Sequence, residues 1–149
     1  MWYHGTPRWR DILEKGIDID APKHSDPGDL GWGIYLTGKL IRAKVYGRVF
    51  EIEIDTSRMA YIPNPYFLEG LSRLQPITPE EKLFYSLAYD TEGEMLTLHG
   101  SKENRITAAR AIQRGFLDAG YAGIVSDYDE GEAVLFEAGP IFSIELLSH

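Results

Sequence analysis

The sequence predicts a single α+β domain, and three observations carry that expectation. Its 149 residues are 44% apolar and 26% charged, the size and balance of one globular unit that buries its own core. Strand-like stretches occupy both ends of the chain, most clearly where Phe50, Ile52 and Ile54 alternate with Glu51, Glu53 and Asp55. Between them lie segments with helix caps and helical apolar spacing.

Taken in order, Trp2-Tyr3-His4 reads as a short first strand. Thr6 is then an N-cap with Pro7 at the first helical position, and a helix carrying Trp9, Ile12 and Leu13 stops at Gly16. Residues 18–33 hold Pro22, Pro27, Gly28, Gly31 and Gly33 and form a loop long enough to be functional. Ile34–Leu36 is a strand, Lys39 to Tyr46 a helix stopped by Gly47, and Phe50–Ile54 a half-buried strand. Prolines 63, 65, 76 and 79 break the next region into loops. Thr78-Pro79-Glu80-Glu81 is a capping box that opens a helix to about Tyr89. Ser101 caps another, in which Ile106, Ala109, Ile112, Phe116 and Leu117 share a face before Gly120. Three apolar strands, 122–125, 133–136 and 141–146, close the chain, separated by turns at 127–131 and 138–140.

The charge balance is −8. It argues against general coating of nucleic acid, which needs a basic face to release counterions. The absence of cysteine excludes disulfide scaffolds, thiol catalysis and thiolate metal sites. No run is apolar enough to cross a membrane as a helix, and Met1–Thr6 does not read as a signal peptide. The expected location is therefore the cytoplasm.

The familiar catalytic patterns fit poorly. His4, His24, His99 and His149 have no ligand spacing, and Asp127-x-Asp129-x-Gly131 puts glycine where an EF-hand needs oxygen, so no metal is expected. Gly28–Gly33 precedes a strand and lacks a P-loop Lys-Ser/Thr pair and the dinucleotide-fold spacing. Its glycines are expected to let backbone approach a ligand. No G-x-S-x-G elbow is present. What remains are polar groups at strand edges: His4, Tyr35 and Glu132. Singly, each has a plain structural role as a turn histidine, a core aromatic and a solvated edge residue.

Together they form a series. His4-Gly5-Thr6, Ile12-Leu13-x-x-Gly16, Gly31-x-Gly33-Ile34-Tyr35 and Glu132-Ala133-Val134-Leu135-Phe136 resemble, in the same order, motifs of the ADP-ribosyltransferase family. The likeness is to its His–Tyr–Glu branch, which includes diphtheria-type toxins and poly(ADP-ribose) polymerases. It covers residues 3–55 and 120–146; about 56–119 has no counterpart. Tyr46 resembles the family's second nicotinamide-stacking tyrosine.

The resemblance implies a split mixed β-sandwich of two small sheets with flanking helices. It also implies cleavage of NAD⁺ at the nicotinamide–ribose bond, with NAD⁺ as substrate and no metal. Glu132 would be catalytic, with His4 and Tyr35. His4, Gly5, Thr6, Tyr35 and Tyr46 would hold NAD⁺, while Lys23 or His24 in the long loop would meet phosphate. Glu130 precedes Glu132 by two residues, so one extended strand would point both the same way, and the resemblance implies that Glu130 orients an acceptor; an exposed turn charge is the slightly favoured alternative. The expected acceptor is a macromolecule, with protein side chains favoured. A nucleic-acid acceptor would need a basic spot such as Arg105, Arg110 and Arg114, which a solvated helix face explains more simply. The alternatives are an NAD⁺ glycohydrolase and a non-catalytic NAD⁺- or ADP-ribose-binding domain. A toxin or effector of this kind would act in a host cytosol and meet an inhibitor or antitoxin.

Overall fold

A computed structural model describes residues 1–19, 28–66 and 78–148. Among them are seven strands: β1 (Trp2–Thr6), β2 (Ile34–Thr37), β3 (Arg48–Ile54), β4 (Met59–Tyr61), β5 (Gly123–Ser126), β6 (Glu132–Leu135) and β7 (Ile141–Leu146). The helices are α1 (Trp9–Lys15), α2 (Leu40–Lys44), α3 (Pro79–Ala88) and α4 (Lys102–Asp118), with a 3₁₀ turn at Tyr128–Glu130. The architecture is mixed α+β, with one curled sheet. No described helix is long and apolar enough to cross a membrane.

The strand order is β4-β5-β6-β2-β1-β3-β7. The expected pair of small sheets is thus one connected sheet, because β2 pairs with β6 on one side and β1 on the other. The β1–β2 seam is narrow: Tyr3 and Thr37 pair across it, whereas all of β2 pairs with β6. Two cores flank the sheet, and β6 feeds both. Val134 joins Phe84, Ile112, Phe116 and Ile124 beneath α3 and α4, while Ala133 and Leu135 join Leu36, Phe50 and Ile52. Burial on both faces explains why this strand reads as a continuous apolar run.

Both caps in the helical middle form. Thr78 Oγ1 accepts the Glu81 N–H and the Glu81 carboxylate accepts the Thr78 N–H, while Ser101 Oγ accepts the Asn104 N–H. The start of α1 differs from expectation. Thr6 ends β1, and its hydroxyl accepts the Arg8 N–H at 3.0 Å, so it holds a turn while the helix begins at Trp9. Sheet pairing captures Thr6 because Arg48 on β3 lies opposite it. Gly16, with φ 77°, ends α1 as expected. Strand β4 lies in the region expected to be loops; it pairs parallel to β5, through Met59–Gly123, Ala60–Ile124 and Tyr61–Val125.

Candidate functional site

The site lies where β1 and β2 part and β6 begins. Cross-strand register places Tyr35 opposite Val134 and Thr37 opposite Glu132, so all four side chains share one sheet face. Burial pushes the Tyr35 phenol up, and the Asp29 and Glu132 charges add to it, so the phenol stays protonated. Both ends of the Tyr35 hydroxyl are engaged. It accepts the Leu30 N–H at 2.8 Å and donates to the Gly31 C=O at 2.7 Å. A Cβ on Gly28 would fall 2.0 Å from Tyr35 Cζ, so that glycine admits this ring rather than a ligand. Tyr35 is therefore fixed by the turn preceding its own strand.

His4 Nδ1 donates to the Tyr35 C=O at 2.8 Å. A carbonyl only accepts, so Nδ1 carries the proton, and in the neutral ring Nε2 is an acceptor. The imidazole thus satisfies a ladder group just where β1 pulls away from β2.

Gly5 faces the same gap. Along an antiparallel strand the N–H and C=O of one residue point together, to alternating sides. The C=O of Val49 accepts the Leu147 N–H at 2.9 Å, so Val49 faces β7. Its β1 partner Gly5 therefore turns its own N–H and C=O away from β3, toward β2. Its other side is packed: a Cβ there would lie 1.8 Å from the Ala43 C=O of α2. That same carbonyl accepts the Tyr46 N–H at 3.1 Å, so the turn carrying Tyr46 rides over Gly5. The Tyr46 side chain is 63% exposed.

Glu132 is half-buried, and its neighbours come from four segments. Burial pushes its carboxyl above the ordinary carboxylate range. The Tyr66 hydroxyl, donating to Oε1 at 3.1 Å, and the Arg42 guanidinium pull it back, while Asp29 and Asp129 add repulsion. Asp29 is likewise raised by burial. Tyr66 packs its ring against Tyr128, 4.6 Å between centroids, and Arg42 lies 5.9 Å from the Tyr128 ring. Tyr66, Asp29 and Arg42 were not evident from the sequence. No spacing marks them, although Tyr66 follows the Pro63-Asn64-Pro65 break that brings the chain back.

Glu130 is an exposed turn charge, the slightly favoured of its two expected roles, and does not share the strand with Glu132. Strand β6 begins at Glu132, and Glu130 belongs to the 3₁₀ turn with φ 65°, so the two carboxylates do not share an extended strand. Its side chain is 76% exposed, 3.8 Å from Lys39 Nζ. Asp129 beside it has φ 50° and is held by Lys39 Nζ at 2.9 Å and by Arg42. Two ion pairs, from Lys39 at the N-cap of α2 and from Arg42 within it, thus hold a left-handed backbone next to the site. Lys23 and His24 lie outside the described residues. Arg110 lies over the Trp32 ring at 4.0 Å, a packing role within the fold.

Comparison with protein-family models, curated proteins and solved structures finds no match for this chain.

Proposed function

We propose that the chain is an NAD⁺-dependent ADP-ribosyltransferase, releasing nicotinamide and passing ADP-ribose to a macromolecular acceptor, preferably a protein side chain. The observation carrying this reading is that Tyr35 and Glu132 share one sheet face beside the seam where Gly5 turns its N–H and C=O toward β2; His4, paired with Phe50, leaves β1 on the other face and reaches the seam through its bond to the Tyr35 C=O. The ordered resemblance of the motifs supplies the chemistry.

In this reading Gly5 presents an N–H and a C=O together, complementary to the carboxamide of nicotinamide. Tyr35, immobilised at its hydroxyl, offers its ring as a stacking wall, and Tyr46 closes the other side. His4 binds a ribose hydroxyl, with Thr6 supporting the turn beside it. Glu132 accepts the 2′-hydroxyl of the nicotinamide ribose. The C1′–nitrogen bond breaks with its electron pair leaving on nicotinamide, and the sugar becomes oxocarbenium-like. The ionised carboxylate stabilises that charge, the acceptor attacks C1′, and the acceptor proton is released to solvent. Glu130, exposed and outside the strand, is available to an incoming cationic side chain.

Incubation with radiolabelled NAD⁺ and cell lysate, followed by protease or nuclease digestion, tests the reading. Label sensitive to protease supports it, and label sensitive to nuclease moves the acceptor to nucleic acid. Free ADP-ribose without labelled macromolecule makes water the acceptor. No nicotinamide release at all refutes it.

A further inference from the structure

One phenol stands between two carboxyl groups. The Tyr66 hydroxyl lies 3.1 Å from Glu132 Oε1 and 3.5 Å from Asp29 Oδ2. A hydroxyl has a single proton to donate, so the carboxyls compete for it, and the shorter contact favours Glu132. All three groups are fixed from behind. The Asp29 C=O accepts the hydroxyl of Thr97, which is 2% exposed, at 2.7 Å, and the next residue donates its N–H to Tyr35. Tyr66 is braced by Tyr128 and by the larger core. Glu132 is placed by strand pairing on both sides, to Thr37 and Ser126.

We propose that Tyr66 is a positioning residue that fixes Glu132 through Oε1, and that Asp29, as the competing acceptor, tunes that hold. The role in turnover rests on the reading of Glu132 as the group that meets the ribose. With Oε1 held by the phenol, Oε2 is the oxygen that takes the 2′-hydroxyl. The groups facing Glu132 are Tyr66 after β4, Asp29 in the glycine turn, Arg42 on α2, Asp129 in the 3₁₀ turn and Tyr35 on β2. Arg42 and the Tyr66 hydroxyl favour the ionised carboxylate, whereas Asp29 and Asp129 oppose it.

Two substitutions must therefore act in opposite directions. Tyr66→Phe keeps the ring against Tyr128 but removes the donor. The acid limb of the kcat profile should move up by about one pH unit, the scale of a lost hydrogen bond to an ion. At neutral pH kcat should fall about tenfold, with KM for NAD⁺ within about twofold, as for an interaction used in the transition state. Asp29→Asn removes the repulsion and leaves a neutral amide oxygen as a weaker rival acceptor, and the limb should move down. A purely structural pair would move neither limb. The readout independent of activity is the titration midpoint of the Glu132 carboxyl, followed by carbon-13 NMR of glutamate-labelled protein and assigned with Glu132→Gln. Midpoints moving up in Tyr66→Phe and down in Asp29→Asn support the trio, even where no nicotinamide is released; that result would sink the NAD⁺ reading alone. Nicotinamide release with both midpoints unmoved, or moved the same way, overturns the trio and leaves the NAD⁺ reading standing.

Discussion

Replacing Glu132 with glutamine removes one charge and little else. The amide keeps an oxygen for the Tyr66 hydroxyl, which donates at 3.1 Å in the native site, and the β6 register is unaffected. A carboxylate about 4 Å from a full positive charge contributes about 4 kcal/mol at an effective dielectric of about 20. That corresponds to roughly 10³ in rate. Two features reduce the figure: Arg42 already compensates part of the carboxylate charge, and the nicotinamide nitrogen of NAD⁺ is cationic before reaction begins. The expected loss in kcat is therefore about 10²–10³, with KM changed by less than about threefold. Initial rates of nicotinamide release, followed by chromatography across NAD⁺ concentrations, give both constants. A kcat within about threefold of the native value would refute the assignment. The same variant should be harder to unfold. The folded state raises the Glu132 pKa, so it binds that proton more tightly than the unfolded chain does. Ionisation at neutral pH is thus a cost that glutamine escapes. The melting temperature should rise at neutral pH, by about 2–4 °C for each kcal/mol relieved. The gain should disappear below the ordinary carboxylate range, where both states are protonated.

Gly5→Ala would place a methyl 1.8 Å from the Ala43 C=O, against backbone that cannot rotate away. It should destabilise the fold by at least the roughly 1–3 kcal/mol of ordinary overpacking, read from the midpoint of urea unfolding. Thr78→Ala removes a complete capping box and should cost about 1 kcal/mol, whereas Ser101→Ala, with one cap bond, should cost no more. Asp129→Asn keeps a residue that tolerates φ 50° while breaking exposed pairs to Lys39 and Arg42. Its cost should be small and shrink in high salt; Asp129→Val, β-branched at the same φ, should cost clearly more in the same melts.

Elements with a local signature were legible in the sequence. The Thr78 and Ser101 caps and the alternation through Phe50–Ile54 each act within a few residues, so the linear pattern contains their cause. Strand β4 was missed because it is three residues long and closely followed by Pro63 and Pro65; its existence depends on β5, more than 60 positions onward, offering a parallel edge. Thr6 was misassigned for a related reason. Thr-Pro is a good local helix start, yet pairing with β3 extends β1 through Thr6, and the hydroxyl settles for a turn. Where local chemistry and sheet pairing competed for one residue, pairing won.

The candidate site divides along the same line. His4, Tyr35 and Glu132 could be picked out because each lies in a strand within a short recognisable motif, and the sheet then brings β1, β2 and β6 side by side. Groups that adjust these residues carry no motif. Tyr66 reaches Glu132 across 66 positions, and its usefulness lies in a phenol arriving between two carboxyls from different loops. Glu130 shows where spacing alone does not decide between a strand face and a turn. A spacing of two implies a shared face only on extended backbone, and φ values of 50° and 65° at Asp129 and Glu130 break that condition just before the strand begins. The turn thereby separates the two acids. Glu132 enters the partly buried face with Tyr35, where its charge is costly, while Glu130 stays in water beside Lys39. In the proposed reading, the acid kept in solvent meets the acceptor and the acid drawn inward acts on the bound NAD⁺.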